Sequence, residues 1–185
     1  MKAPKLGTGA KVVAVSIDGK HRFSKSPRLS GMLVVGHGVE GDAHFGETVK
    51  HRYLARRNPQ AANLRQVHLI SSELFDALRA DGFEVGPGEL GENITTAGLD
   101  LERLPLDTEL RIGADAGIRL TGIRTPCVLL DRFRAGLKAR LIIDGPKRLY
   151  KAGVMGVVIK GGDVSPGDAI GVGWPDAPHR PLPPL

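Results

Sequence analysis

Apolar and polar residues alternate in short stretches along the chain, and no apolar run extends beyond a few positions. Lys11 to Ile17 (KVVAVSI) predicts a first strand that stops at the Asp18-Gly19 turn. Further strands are expected at Met32 to Val35, Arg65 to Ile70 and Asn93 to Thr96. A hairpin is expected from Thr108 to Ile112 and Ile118 to Ile123 across residues 113–117. Val154 to Ile159 and Ala169 to Val172 read as two late strands around a Gly/Pro/Asp turn at 161–168. Leu74, Phe75 and Leu78 fall on one helical face after Ser71 or Ser72, with Gly82 as the stop. A second helix is predicted from Pro126 to Ala135, with Leu130, Phe133 and Leu137 turned inward. Seven or eight short strands with two or three helices and no βαβ alternation predict a mainly β fold. The best match is a closed or nearly closed mixed β-barrel with helices at its rim.

Composition agrees with that class. The 185 residues suit a single domain, expected over residues 1–174, and 25 Gly with 13 Pro imply many tight turns. Five of those prolines crowd into the last eleven residues, so 175–185 reads as a disordered, polyproline-like tail. Its Pro181 to Pro184 spacing also fits a partner-binding PxxP. No segment is apolar enough to span a bilayer and Met1 to Lys20 lacks the core of a signal peptide, so a cytoplasmic location without membrane contact is expected. A net charge of +6 favours an anionic partner. With only five Phe, two Tyr and one Trp, a small anionic molecule fits better than nucleic acid.

A single cysteine, Cys127, excludes a disulfide within the chain and any multi-cysteine zinc site. In Arg124-Thr125-Pro126-Cys127, Thr125 and Pro126 signal a helix start, which puts Cys127 in the first turn with Arg124 three residues back. Both neighbours favour the thiolate, the form that attacks, carries sulfur or binds metal; a buried, inert cysteine is the alternative. The long polar stretch 36–63 holds Glu40, Asp42 and His44 between glycines, a pattern suited to a cation, to proton transfer or to plain turns. Lys50 to Arg57 is a basic run that can hold a phosphate near a pocket or coat a solvated surface. The run Gly86 to Gly91 formally matches G-x-G-x-x-G, but a helix precedes it and a strand follows, the reverse of a dinucleotide fold. His68, inside a predicted strand, reads as a satisfied core or rim histidine.

Together these segments resemble the MOSC domain, the module named for the C-terminal part of molybdenum-cofactor sulfurases. The matching blocks are GVEGDAHFG at 38–46, RQVHLI at 65–70, GELGENITTAGLDL at 88–101, LTGIRTPC at 120–127 and GVMGVVIKGGDVSPGD at 153–168. The resemblance implies a β-barrel like that of pyruvate kinase and a hallmark cysteine, here Cys127. That cysteine would carry sulfur as a persulfide or ligate the molybdenum of a bound molybdopterin cofactor. Arg65 and Arg124 are the candidates for holding the pterin phosphate, with Lys50 and Arg52 behind them; Thr125, Asn93, Asp42 and His44 complete the expected cofactor site. A pyridoxal-phosphate cysteine desulfurase or an electron-transfer protein would be the partner. Asn93 matches an asparagine of amidoxime-reducing relatives, but Gly91-Glu92 stands where they carry an arginine. GEN and R-x-P-C also match a hydroxylamino-purine reductase, yet His51-Arg52-Tyr53 replaces its His-Gly-Gly element. Reduction of N-hydroxylated compounds with an external electron donor is therefore the second reading. A non-catalytic module binding RNA or an anion is the third.

Overall fold

The structure is a computed structural model that describes residues 9–50, 52–146 and 148–185, with side chains left aside at 52–54. His51, whose match to the reductase element was noted above, lies outside the described residues. The strands are β1 (Lys11–Ile17), β2 (Ser26–Arg28), β3 (Gly31–Val34), β4 (Gly38–Val39), β5 (Val67–Ser71), β6 (Ile94–Ala97) and β7 (Glu109–Ile112). They continue as β8 (Ala116–Ile123), β9 (Ile142–Ile143), β10 (Leu149–Tyr150), β11 (Val154–Lys160), β12 (Gly162–Val164) and β13 (Ile170–Gly173). Helices are short: α1 (Arg52–Arg57), α2 (Ser72–Ala80), α3 (Val128–Phe133) and α4 (Leu137–Arg140).

Eight strands form one mixed sheet in the order β13-β7-β8-β11-β5-β6-β1-β2, in which only β5 and β6 run parallel. Smaller sheets are β12-β3-β4 and β10-β9. The fold is mainly β, as the periodicity predicts, but the pairing does not close into a barrel. One end is β2, whose Pro27 has no N–H to offer a further strand. At the other end, β13 and the residues leading into it meet the start of β1 through Val12 N–H to Asp168 O, Gly167 N–H to Val12 O and Ile170 N–H to Ala10 O (each 2.9 Å), with an isolated bridge between Lys11 and Ala169.

Alternation on three central strands decides where the site sits. On β5, Val67 and Leu69 enter the main core with Ile94, Ile118, Leu120 and Val154. The intervening His68 and Ile70 face the other way, and Ile70 joins a second core of Phe75, Leu78, Leu90, Leu130 and Leu137 that α2, α3 and α4 close. The same face therefore carries a small helical core and, beside it, a polar cavity.

Two expectations change. The second helix begins at Val128, not Pro126, with Cys127 extended at its N-cap (φ −113°, ψ 171°) and Pro126 outside. The C-terminal segment 175–185 is not a free tail: Leu182 is buried, and Ile123 N–H donates to Pro183 O at 2.8 Å. The N-terminal helix signals hold better, since α2 starts after Ser71 and ends before Gly82 at φ +85°.

Gly153 enters β11 at φ +84°, and a Cβ there would overlap Leu69 O and lie 2.6 Å from Ile70 Cγ1. Gly167, at φ +97°, has open space around it. Gly167→Ala should cost about 1–2 kcal/mol from backbone strain alone. Gly153→Ala should cost clearly more, above about 2 kcal/mol, because strain and overlap combine. Urea denaturation of the two variants checks the order.

Candidate functional site

Four stretches of chain meet on the outer face of β5, β6 and β11: residues 21–25, residues 42–44, the run 91–93 and the link 124–127. They enclose a cavity of about 530 Å³ lined by Lys25, Arg65, His68, Arg124, Cys127 and Met155, among others. His44, Asn93 and Thr125 also line it, so six of the seven expected site residues converge. The seventh, Asp42, is buried directly behind them.

Arg124 leaves the end of β8, where its N–H donates to Gly153 O at 3.0 Å. Its Nη1 donates to Leu90 O at 2.7 Å and the guanidinium lies 5.8 Å from the centre of the Phe23 ring. Burial pulls the Arg124 guanidinium below its ordinary value, against which Cys127 and the Glu92 carboxylate pull upward. Arg65 is lowered likewise, first by burial and then by the facing Arg124, with Cys127 opposing. Both arginines stay charged at neutral pH. Cys127 is half-buried between them and solvent. Cys127 precedes α3, which is short, and the formal positive charges that share its cavity are those of Lys25, Arg65 and Arg124 among others.

Asp42 organises the floor. Its Oδ2 accepts from Lys25 Nζ at 2.7 Å and Asn93 Nδ2 at 2.9 Å, and its Oδ1 accepts from His44 N–H at 3.0 Å with His44 Nδ1 at 3.3 Å. Burial alone would raise this carboxyl, but the His44 hydrogen bonds and the Lys25 ammonium outweigh it and hold Asp42 well below the usual carboxylate range. Asn93 is fully engaged, since its Oδ1 also accepts from His68 N–H at 3.2 Å. It therefore acts as a wall that joins β5, β6 and the Asp42 turn. His68 donates through Nε2 to Ala152 O at 2.8 Å; burial, and next the Arg124 charge, keep it neutral. Glu92 is buried outside the cavity with Gly88 N–H and Thr95 Oγ1 on one oxygen, while burial pushes its carboxyl upward.

Glu40 is exposed and does not join Asp42 and His44, and no cluster of three metal-ligating His, Cys, Asp or Glu occurs among the described residues. Lys50 packs on Gly46 instead of the cavity, and the Arg52 side chain lies outside the described atoms. Sequence reasoning missed Lys25, which sits in a stretch that reads as a bare polar loop. An indirect signal was available in the Gly86 to Gly91 run. A Cβ on Gly88 would strike Lys25 O, and one on Gly91 would lie 2.5 Å from Phe23 O, so these glycines let the loop press Lys25 and Phe23 into place.

The MOSC domain family model matches residues 40–171. Among solved structures, YuaD from Bacillus subtilis superposes with a TM-score of 0.75 at 22% identity, covering 90% of this chain and 97% of that one. YiiM from Geobacillus stearothermophilus gives 0.66 at 16% identity, covering 93% and 79%. YiiM from Escherichia coli gives 0.60 at 18% identity, covering 92% and 73%. Comparison with curated proteins gave no match.

Asp42→Asn should strip the buried Lys25 ammonium of its counter-charge and cost about 3–5 kcal/mol at pH 7. Because Asp42 titrates below its unfolded value, its contribution is complete above about pH 4 and fades as the pH falls further. Chemical denaturation from pH 7 to 3 should show the gap between the parent and Asp42→Asn narrowing only at the acid end.

Proposed function

Since the chain belongs to the MOSC domain family, we propose that it binds a molybdenum–pterin cofactor in the Cys127 cavity and uses the Cys127 sulfur as metal ligand or sulfur carrier. One observation carries this reading: the sole thiol shares a single cavity with Lys25, Arg65 and Arg124. Three cations suit a phosphate-bearing polyanion, and a thiolate suits a soft metal, so the donor set fits such a group. When bound, the cofactor supplies a metal centre able to exchange sulfur or oxygen together with electrons.

The chain's own residues have distinct tasks. Arg65 and Lys25 bind the anionic end; Lys25 stays aimed by Asp42, which Asn93 and His44 hold in turn. Arg124 places its positive charge in the same cavity as the sulfur. In the carrier role, the Cys127 thiolate attacks the outer sulfur of a donor protein's persulfide. The S–S bond of the donor breaks, its thiolate leaves, and Cys127 holds the transferred sulfur as a persulfide. A cysteine desulfurase is the donor class that this step requires. In the ligand role an electron-transfer protein takes the partner's place. No helix among the described residues is long and apolar enough to cross a membrane, and we place the reaction in the cytoplasm.

Protein purified from a cofactor-competent host should contain molybdenum and pterin. Cys127→Ser should lose the metal or the sulfane sulfur, and Arg65→Glu should lower pterin content at least about tenfold, in line with loss of a charge-assisted bond and its reversal. Elemental analysis and intact mass after treatment with a desulfurase and cysteine read these out. A protein free of metal and pterin that also gains no sulfur mass would contradict the proposal.

A further inference from the structure

Residues 180–185 pack against residues 105–107 and the end of β8 through isolated bridges and hydrogen bonds. Leu106 N–H donates to Arg180 O and Leu185 N–H donates to Ile123 O, each at 2.8 Å. Pro184 bridges Ile123 in parallel, and Arg180 pairs with Asp107 at 2.9 Å. The contact ends at the site: Leu185 O accepts both from Thr125 N–H at 3.2 Å and from Thr125 Oγ1 at 2.7 Å. Gly122 makes room for it, since a Cβ there would lie 2.5 Å from both Leu185 Cγ and Pro183 O.

Thr125 stands between the guanidinium and the thiol. On one side Arg124 N–H holds the link to Gly153 O. Pro126 has no N–H to offer. Thr125 in turn is anchored through its N–H and its hydroxyl to Leu185 O. We propose that residues 180–185 form a strap that positions the Arg124–Cys127 pair, acting through Thr125 as a positioning residue. The inference rests on the reading that Cys127 is the reactive group of the site. Its action is mechanical and electrostatic. The strap removes the freedom of the 123–127 link, so the guanidinium and the sulfur that this link carries keep their places in the one cavity. The contact at Thr125 uses a main-chain carbonyl, so the side chain of residue 185 is not the determinant.

The test is a double-mutant cycle on the full chain, free of cofactor, with iodoacetamide as probe and the second-order rate of Cys127 alkylation at pH 7.5 as readout. Gly122→Val displaces the strap, and Thr125→Val removes the hydroxyl contact in case the first variant does not fold. Each should slow alkylation by about threefold or more, the range expected for one lost hydrogen bond. Thr125→Ser should restore the parent rate. In an Arg124→Met background, where the guanidinium is already gone, Gly122→Val and Thr125→Val should have no further effect. Unchanged rates in folded Gly122→Val and Thr125→Val would overturn the inference. So would an equal slowing in the Arg124→Met background, which marks a general loosening. The readout needs no cofactor, so a protein that never binds pterin can still pass this test, and the two failures are separable.

Discussion

Burial of the Arg124 guanidinium at the wall of the cavity that also holds Cys127 is the constraint around which this site is arranged. A guanidinium taken largely out of water must find acceptors, or the desolvation cost destabilises the fold. Here it finds Leu90 O, the face of Phe23 and the Glu92 charge. Each partner arrives from a different stretch of chain. The glycine-rich loop brings Leu90, the segment after β1 brings Phe23, and the end of β8 brings Arg124 itself. Moving any of them would leave the cation short of a partner, so the architecture of the site and its electrostatics are the same problem.

A second level of support is the Asp42 hub. Its two oxygens gather Lys25, Asn93 and His44, and Asn93 passes the restraint to His68 on β5. A buried ion pair of this kind contributes little net stability compared with well-packed apolar groups. Its effect is to fix where an ammonium points. The main core of Val67, Leu69, Ile94, Ile118 and Val154 lies on the reverse face of the same strands, so apolar packing sets the frame while the polar face stays free for chemistry.

Much of this was legible in the chain and some was not. Alternation in KVVAVSI, ELRI and VMGVVIK placed the strands to within a few residues, because one face of each is buried in the main core. R-T-P-C placed Cys127 inside the first helical turn, whereas the helix begins one residue after it and Cys127 lines the cavity beside Arg65 and Arg124. Lys25 left no local trace, since its position depends on a loop more than sixty residues away pressing on its backbone. The segment 175–185 misled for a related cause. Proline content suggested disorder, yet a proline keeps its carbonyl as an acceptor, and Pro183 O together with Leu185 O ties the segment to Ile123 and Thr125. A strand count does not show how the sheet ends: the ladder runs from β13 to β2, and the β13 end meets β1 through an isolated bridge.

The most direct test of the central claim is anomalous diffraction at the molybdenum edge from crystals of protein purified with its cofactor. The account predicts an anomalous peak inside the cavity walled by Lys25, Arg65, Arg124 and Cys127, adjacent to the sulfur. A molybdenum peak elsewhere on the protein, with this cavity holding only water, would contradict it.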